Sequence, residues 1–428
     1  MPDNRISLHE FLLLATVVTA LTLGAAWVYP IWDDARLIVL IRESGNGAIL
    51  ANIDSRLLVS RFLIFLSDHR VFLPVGLAVH WIAWLGMGLV TMRLWRVLFP
   101  GRARFALLPG LLSVAPILCK VQLVIVTVVF IVLIGPVLIY LAILMFTSEH
   151  PSPRRKIVAD AAGLVLIILS ILLSEYGVSA AAVAFTLVTA KAFNERGELR
   201  RGPRTLAMLI AVSSLASYIA FYVLARSTVS PPYRPGFALQ SLPRKIQTLP
   251  FDLLSGLWRG TIGAFLEALG SITLNTKATL LSFVCGAIFS AVVALGVYRK
   301  AESPPAPNRE WLSVLTLLVA TLVAIFPVLL MGRDMESKWD SRFWLPVLPV
   351  VSSLTVFILL SVVRARLWLL VPIVCGFLAG YWTTLEIIDT RQHPEPVFAA
   401  PPEMKTGLSS RSVIGTIFGQ RASSNSVE

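Results

Sequence analysis

Three short stretches of this 428-residue chain carry side chains that could do chemistry. The first is Trp32-Asp33-Asp34-Ala35-Arg36. Two adjacent carboxylates repel each other, which makes one of them the readier proton acceptor and suits a general base. The second, Glu175-Tyr176-Gly177, interrupts an apolar stretch. A carboxylate at membrane depth is costly, so Glu175 belongs either at an interface or inside a polar cavity, with Tyr176 beside it. The third is a densely charged run from Arg333 that ends in Ser341-Arg342-Phe343-Trp344-Leu345-Pro346. A guanidinium there, at the lip of an apolar run, could clamp a phosphate bidentately. Lys120 and Arg56 are further cations that could serve the same anion or snorkel to the interface. Each stretch also has a plainer reading, as a solvated span end, a turn carboxylate or an Arg-aromatic anchor.

Other ionisable residues read as structural. His80 stands alone in an apolar run, as core histidines do, and Asp160 follows Lys156 by four residues, the spacing of a local helix pair. No P-loop, HExxH, CxxC pair or GxSxG element is present, so nucleotide hydrolysis, zinc catalysis and dinucleotide chemistry have no support. Cys119, Cys285 and Cys375 show neither a disulfide framework nor metal-ligand spacing.

The elements that must position these groups follow from composition. The chain is 56% hydrophobic and only 14% charged, against about 25% charged in soluble domains. Its apolar residues lie in long runs near the ~20 residues that cross a bilayer as helix. The reading is all-α: a polytopic transmembrane helix bundle of about eleven spans, near 10–31, 73–95, 105–119, 121–147, 157–174, 177–190, 205–225, 278–298, 311–331, 344–362 and 367–388. The net charge of +13 does not indicate nucleic acid, because the 37 Lys and Arg are scattered at the ends of apolar runs. About half of them fall in short connections on one side, which favours a cytoplasmic N-terminus and a C-terminus outside. The outer side then holds the long segments 33–72 and 226–277, each with an amphipathic interfacial helix, and a Pro- and Ser-rich tail, 389–428, read as disordered. Asp33, Asp34, Glu175 and Arg342 all fall on that outer side.

Taken together, these features resemble the GT-C superfamily of integral-membrane glycosyltransferases, which use polyprenyl-phosphate-linked sugars. The likeness rests on Asp33-Asp34 after the first span, on Glu175-Tyr176-Gly177 at an outer turn, and on Arg342-Phe343-Trp344-Leu345-Pro346-Val347-Leu348-Pro349. The last is similar to an Arg-aromatic-x-x-Pro-x-x-Pro pattern, and the second to Lys-Glu-Tyr-Gly with Ser174 in place of the Lys. The resemblance implies a transferase-like membrane domain over 1–388. In it Asp33 or Asp34 acts as base, Arg342 holds the donor phosphate with Lys120 or Arg56, and Glu175 and Tyr176 line the cavity. The implied partners are a polyprenyl-phosphate-linked sugar, a glycan or lipid-linked acceptor and membrane lipid, at a bacterial inner membrane. Paired acids permit a divalent metal; no motif demands one. Two alternatives stay open: a transporter or flippase of a lipid-linked solute, and an O-antigen polymerase or ligase-like enzyme using the basic residues of 226–277.

Overall fold

The computed structural model describes residues 6–28, 34, 57–69, 71–115, 128–148, 152–174, 176–194, 201–228, 242–258, 310–330 and 340–362, with isolated positions at 263, 266, 287, 288 and 291. Every regular element among the described residues is helical. The expected spans 278–298 and 367–388, most of segment 33–56 and the tail 389–428 lie outside the described residues, apart from single positions.

The first helix, α1 (Leu8–Val28), starts at a reciprocal cap. The Ser7 hydroxyl accepts from the Glu10 N–H, and the Glu10 carboxylate accepts from the Ser7 N–H and O–H. No charge follows until the helix ends, so its body suits hydrocarbon. After α2 (Leu57–Asp68) comes α3 (Phe72–Leu98), whose 27 residues reach about 40 Å, enough to cross a bilayer core of ~30 Å with a turn to spare. α1 and α3 run antiparallel. Thr19 and Thr22 of α1 meet Trp81 and His80 near the start of α3, while Glu10 meets Arg96 near its end. His80 is buried with Thr22 Oγ1 3.2 Å from its Nδ1, as expected for a core histidine.

A 3-10 turn (Pro100–Phe105) leads into α4 (Leu107–Val114), a short helix whose residues are all buried. The expected third span, 105–119, is thus regular helix only over Leu107–Val114, with Ala115 extended just before Pro116. A residue before proline is pushed out of the helical region, which accounts for the stop. α4 packs hard on α3: a Cβ on Gly110 would lie 2.5 Å from Met92 Cγ and 3.2 Å from the Gly88 carbonyl oxygen.

A π turn (Val129–Leu133) opens α5 (Ile134–Thr147), followed by α6 (Pro153–Leu173) and α7 (Tyr176–Asn194). Lys156 pairs with Asp160 on α6, the local pair expected from their spacing, and also donates to the Phe146 carbonyl on α5. α8 (Arg201–Thr228), α9 (Leu242–Trp258) and α10 (Trp311–Leu330) follow. A second 3-10 segment (Asp340–Val347) then runs directly into α11 (Leu348–Val362). The expected late span therefore begins as 3-10 helix, with Pro346 and Pro349 spaced across the change.

Among the described residues five helical stretches are long and apolar enough to cross a membrane: Leu8–Ala26, Leu73–Leu98, Pro153–Leu173, Arg204–Phe221 and Arg342–Ser361. Ile134–Thr147, Tyr176–Ala190 and Trp311–Phe326 are shorter apolar helices. The most apolar window of Arg342–Ser361 is 89% buried against 22% for Pro153–Leu173, so α11 is central and α6 peripheral. Outward faces are greasy: Ile157, Val158 and Val165 on α6 and Met208, Val212 and Leu215 on α8 are all exposed. Apolar patches of this extent are rare on soluble monomers and suit a hydrocarbon surround.

Candidate functional site at one end of the bundle

Helix directions sort the charged residues into two groups. At one end the start of α1, the end of α3, the start of α10 and the end of α11 converge. Arg96 Nη2 lies 2.6 Å from Glu10 Oε2, with both side chains buried. Arg102, 1% exposed, pairs with Glu310 at 2.6 Å, donates to Ser361 Oγ, and sets its guanidinium over the Phe357 ring. The Trp95 indole N–H donates to the Arg102 carbonyl and pins the 3-10 turn that presents it. The short-connection arginines, expected to serve topology, thus include two that are buried and paired.

The opposite end holds the candidate site. Here α6 stops at Ser174, whose backbone is extended and whose N–H donates to Ser170. The Ser174 hydroxyl accepts from the Tyr176 N–H, capping α7 as it begins. Gly177 then packs against Ser170: an added Cβ would fall 2.7 Å from its Oγ and 2.9 Å from its carbonyl carbon. In a straight helix residues seven apart are separated by about 10 Å, so α7 folds back against the end of α6. Ser174 stands where the resembled pattern has lysine, and it is a buried cap.

This fold-back delivers Tyr176 to the second 3-10 segment. Arg342 donates from Nε to the Tyr176 hydroxyl at 2.8 Å. The Tyr176 ring stacks on Phe343 with centroids 5.4 Å apart, and the Arg342 guanidinium carbon lies 5.2 Å from the centre of the same ring. From α5, the Tyr140 hydroxyl donates to the Pro346 carbonyl at 2.9 Å. Two tyrosines from neighbouring helices therefore hold the two ends of the Arg-aromatic-x-x-Pro stretch. Phe343, Trp344, Leu345 and Val347 are buried, which leaves Arg342 as the partly exposed polar group of this stretch.

No protein-family model, curated protein or solved structure matches the chain.

Of the residues expected at the site, Tyr176 and Arg342 are brought together. Asp34 is helical, fully buried and engaged by its surroundings, and it follows the end of α1 that points away from Glu10. A solvated span end, the plainer expectation for this acid, does not describe it. Asp33, Glu175, Lys120 and Arg56 lie outside the described residues. Among the described residues no group of His, Cys, Asp and Glu could hold a metal ion. Tyr140 was not anticipated as part of the site. Its signal was available: a lone phenol in an apolar helix must find an acceptor when buried.

Proposed function

We propose that this protein is an integral-membrane glycosyltransferase that moves a sugar from a polyprenyl-phosphate donor to an acceptor hydroxyl at the outer membrane face. The observation that supports this reading is the Tyr176–Arg342 hydrogen bond, which joins the two motif stretches separated by 166 residues of chain. A partly exposed guanidinium held by buried aromatics is suited to a phosphate group that arrives from the lipid. A lipid-tailed donor must come from the bilayer and a polar acceptor from water, so the end of a helix bundle is where both can meet.

In the proposed reaction Asp33 or Asp34 takes the acceptor's hydroxyl proton as its oxygen attacks the anomeric carbon. The bond from the anomeric carbon to the phosphate oxygen breaks, polyprenyl phosphate leaves with the electron pair, and attack on the opposite face inverts the centre. Arg342 offsets the charge gathering on the leaving phosphate. A purified-protein assay with labelled polyprenyl-phosphate sugars tests this: Asp33→Asn or Asp34→Asn should abolish transfer in at least one case. Full activity in both variants removes the base assignment. Transfer from polyprenyl-diphosphate donors alone supports a polymerase-like enzyme, and lipid movement between leaflets without donor consumption supports a flippase.

A further inference from the structure

We infer that Tyr176 is a positioning residue that sets the plane in which the Arg342 guanidinium meets a phosphate monoester at this end of the bundle. The inference rests on the transferase reading for the identity of the ligand and adds to it a residue that controls the contact.

An arginine side chain ends in a planar guanidinium whose hydrogen bonds to a phosphate lie in its plane, so its usefulness depends on its orientation; with Nε given to Tyr176 and Nη1 enclosed by protein, the contact with a phosphate is single rather than bidentate. Four rotatable bonds would ordinarily blur that orientation. Here contacts among Arg342, Tyr176 and Phe343 restrict it. The Nε–H is bound to the Tyr176 oxygen at 2.8 Å, which fixes rotation about the last bonds of the side chain. The Phe343 ring lies 5.2 Å from the guanidinium carbon and limits movement out of plane. Tyr176 in turn stacks on Phe343, so the phenol that receives the hydrogen bond is itself immobilised.

The backbone supporting Tyr176 is equally constrained. Tyr176 is the first residue of α7, its N–H bound to the Ser174 hydroxyl, and Gly177 packs on the Ser170 backbone. The phenol oxygen therefore cannot drift without displacing the α6–α7 corner. Tyr176 is 7% exposed, which places its own ring in the wall and directs its influence through Arg342.

Binding to the purified full chain in lipid nanodiscs tests this, with three probes: a polyprenyl monophosphate, the corresponding polyprenol, and inorganic phosphate. Wild-type protein should bind the monophosphate more tightly than either other probe. Arg342→Ala should erase that preference. Tyr176→Phe should weaken monophosphate binding about tenfold, the scale of one hydrogen bond to a charged group, and leave polyprenol binding unchanged. In a double-mutant cycle, Tyr176→Phe should cost little once Arg342 is Ala. Equal monophosphate affinity in wild type and Tyr176→Phe, with Arg342→Ala impaired, overturns the positioning role and leaves the transferase reading standing. Equal loss for monophosphate and polyprenol also overturns it, because the ring is then only a wall. An unimpaired Arg342→Ala overturns the transferase reading itself. If Tyr176→Phe lowers the unfolding temperature, the cycle still decides: additive losses refute the coupling. Tightest binding of inorganic phosphate refutes a lipid source for the anion.

Discussion

The Tyr140 hydroxyl donates to the Pro346 carbonyl at 2.9 Å, a contact that ties the middle of α5 to the start of the α11 stretch across 206 positions of sequence. It is buried, so its loss is not repaired by water. Tyr140→Phe keeps the ring and removes the donor, which should cost about 1 kcal/mol. Thermal unfolding in detergent should fall by a few degrees, and polyprenyl monophosphate binding should weaken severalfold as Arg342 loses its fixed base. An unchanged unfolding temperature would show that the Pro346 carbonyl finds another donor.

The α6–α7 corner depends on a missing side chain. A Cβ at Gly177 would stand within 3 Å of the Ser170 carbonyl carbon and oxygen, which are backbone and cannot rotate away. Gly177→Ala should therefore destabilise the protein by about 1–3 kcal/mol and move Tyr176 with it. Gly86→Ala is the control: its nearest neighbour is Val137 Cγ1 at 3.3 Å, a side chain that can yield. Unfolding temperatures of the two variants should separate clearly. Equal effects would mean that the corner is not tightly packed.

Much of this fold was legible from apolar run lengths. Runs at 73–95, 157–174, 177–190 and 311–331 became Phe72–Leu98, Pro153–Leu173, Tyr176–Asn194 and Trp311–Leu330. Helix ends were legible because charges and prolines mark them. Pairings between distant residues were not. Nothing local in Glu10 announces Arg96, 86 residues away, and nothing in Tyr176 announces Arg342. Such contacts depend on which spans become neighbours, and helix amphipathicity is a weak guide when the surround is apolar too. The Asp33-Asp34 pair shows the same limit: acidity at a span end was legible, while the complete burial of Asp34 was not.

Orientation gives a prediction that needs no substrate. Asp68 is exposed at the end of α2, close to the start of α3, whereas Ser152 caps α6 at the opposite end of the bundle. With the N-terminus cytoplasmic, Asp68→Cys should react with a membrane-impermeant maleimide on intact cells, in a background lacking Cys119, Cys285 and Cys375. Ser152→Cys should react only after permeabilisation. The reverse pattern would put Tyr176 and Arg342 on the cytoplasmic side and remove the outer-face transferase reading.

The Arg102–Glu310 pair predicts how firmly the end opposite the candidate site is closed. Arg102 ties Glu310, the residue just before α10, to Ser361 in the last turn of α11, while its guanidinium over the Phe357 ring holds α11 against the 3-10 turn. Removing one partner of a buried pair strands the other charge, at a cost of about 3–5 kcal/mol. Glu310→Ala should thus destabilise strongly, and Glu310→Asp, which shortens the reach by one methylene, should do so less. Replacing both residues by apolar ones of similar size, Arg102→Met with Glu310→Leu, should recover much of the loss, because no unpaired charge remains buried. Unfolding in a denaturing detergent titration reads all three. A transporter that opens alternately at both ends would need this pair to break in its cycle, so cross-linking α10 to α11 at this end should stop it. Undiminished sugar transfer by the cross-linked protein is the outcome expected of an enzyme that works from one face.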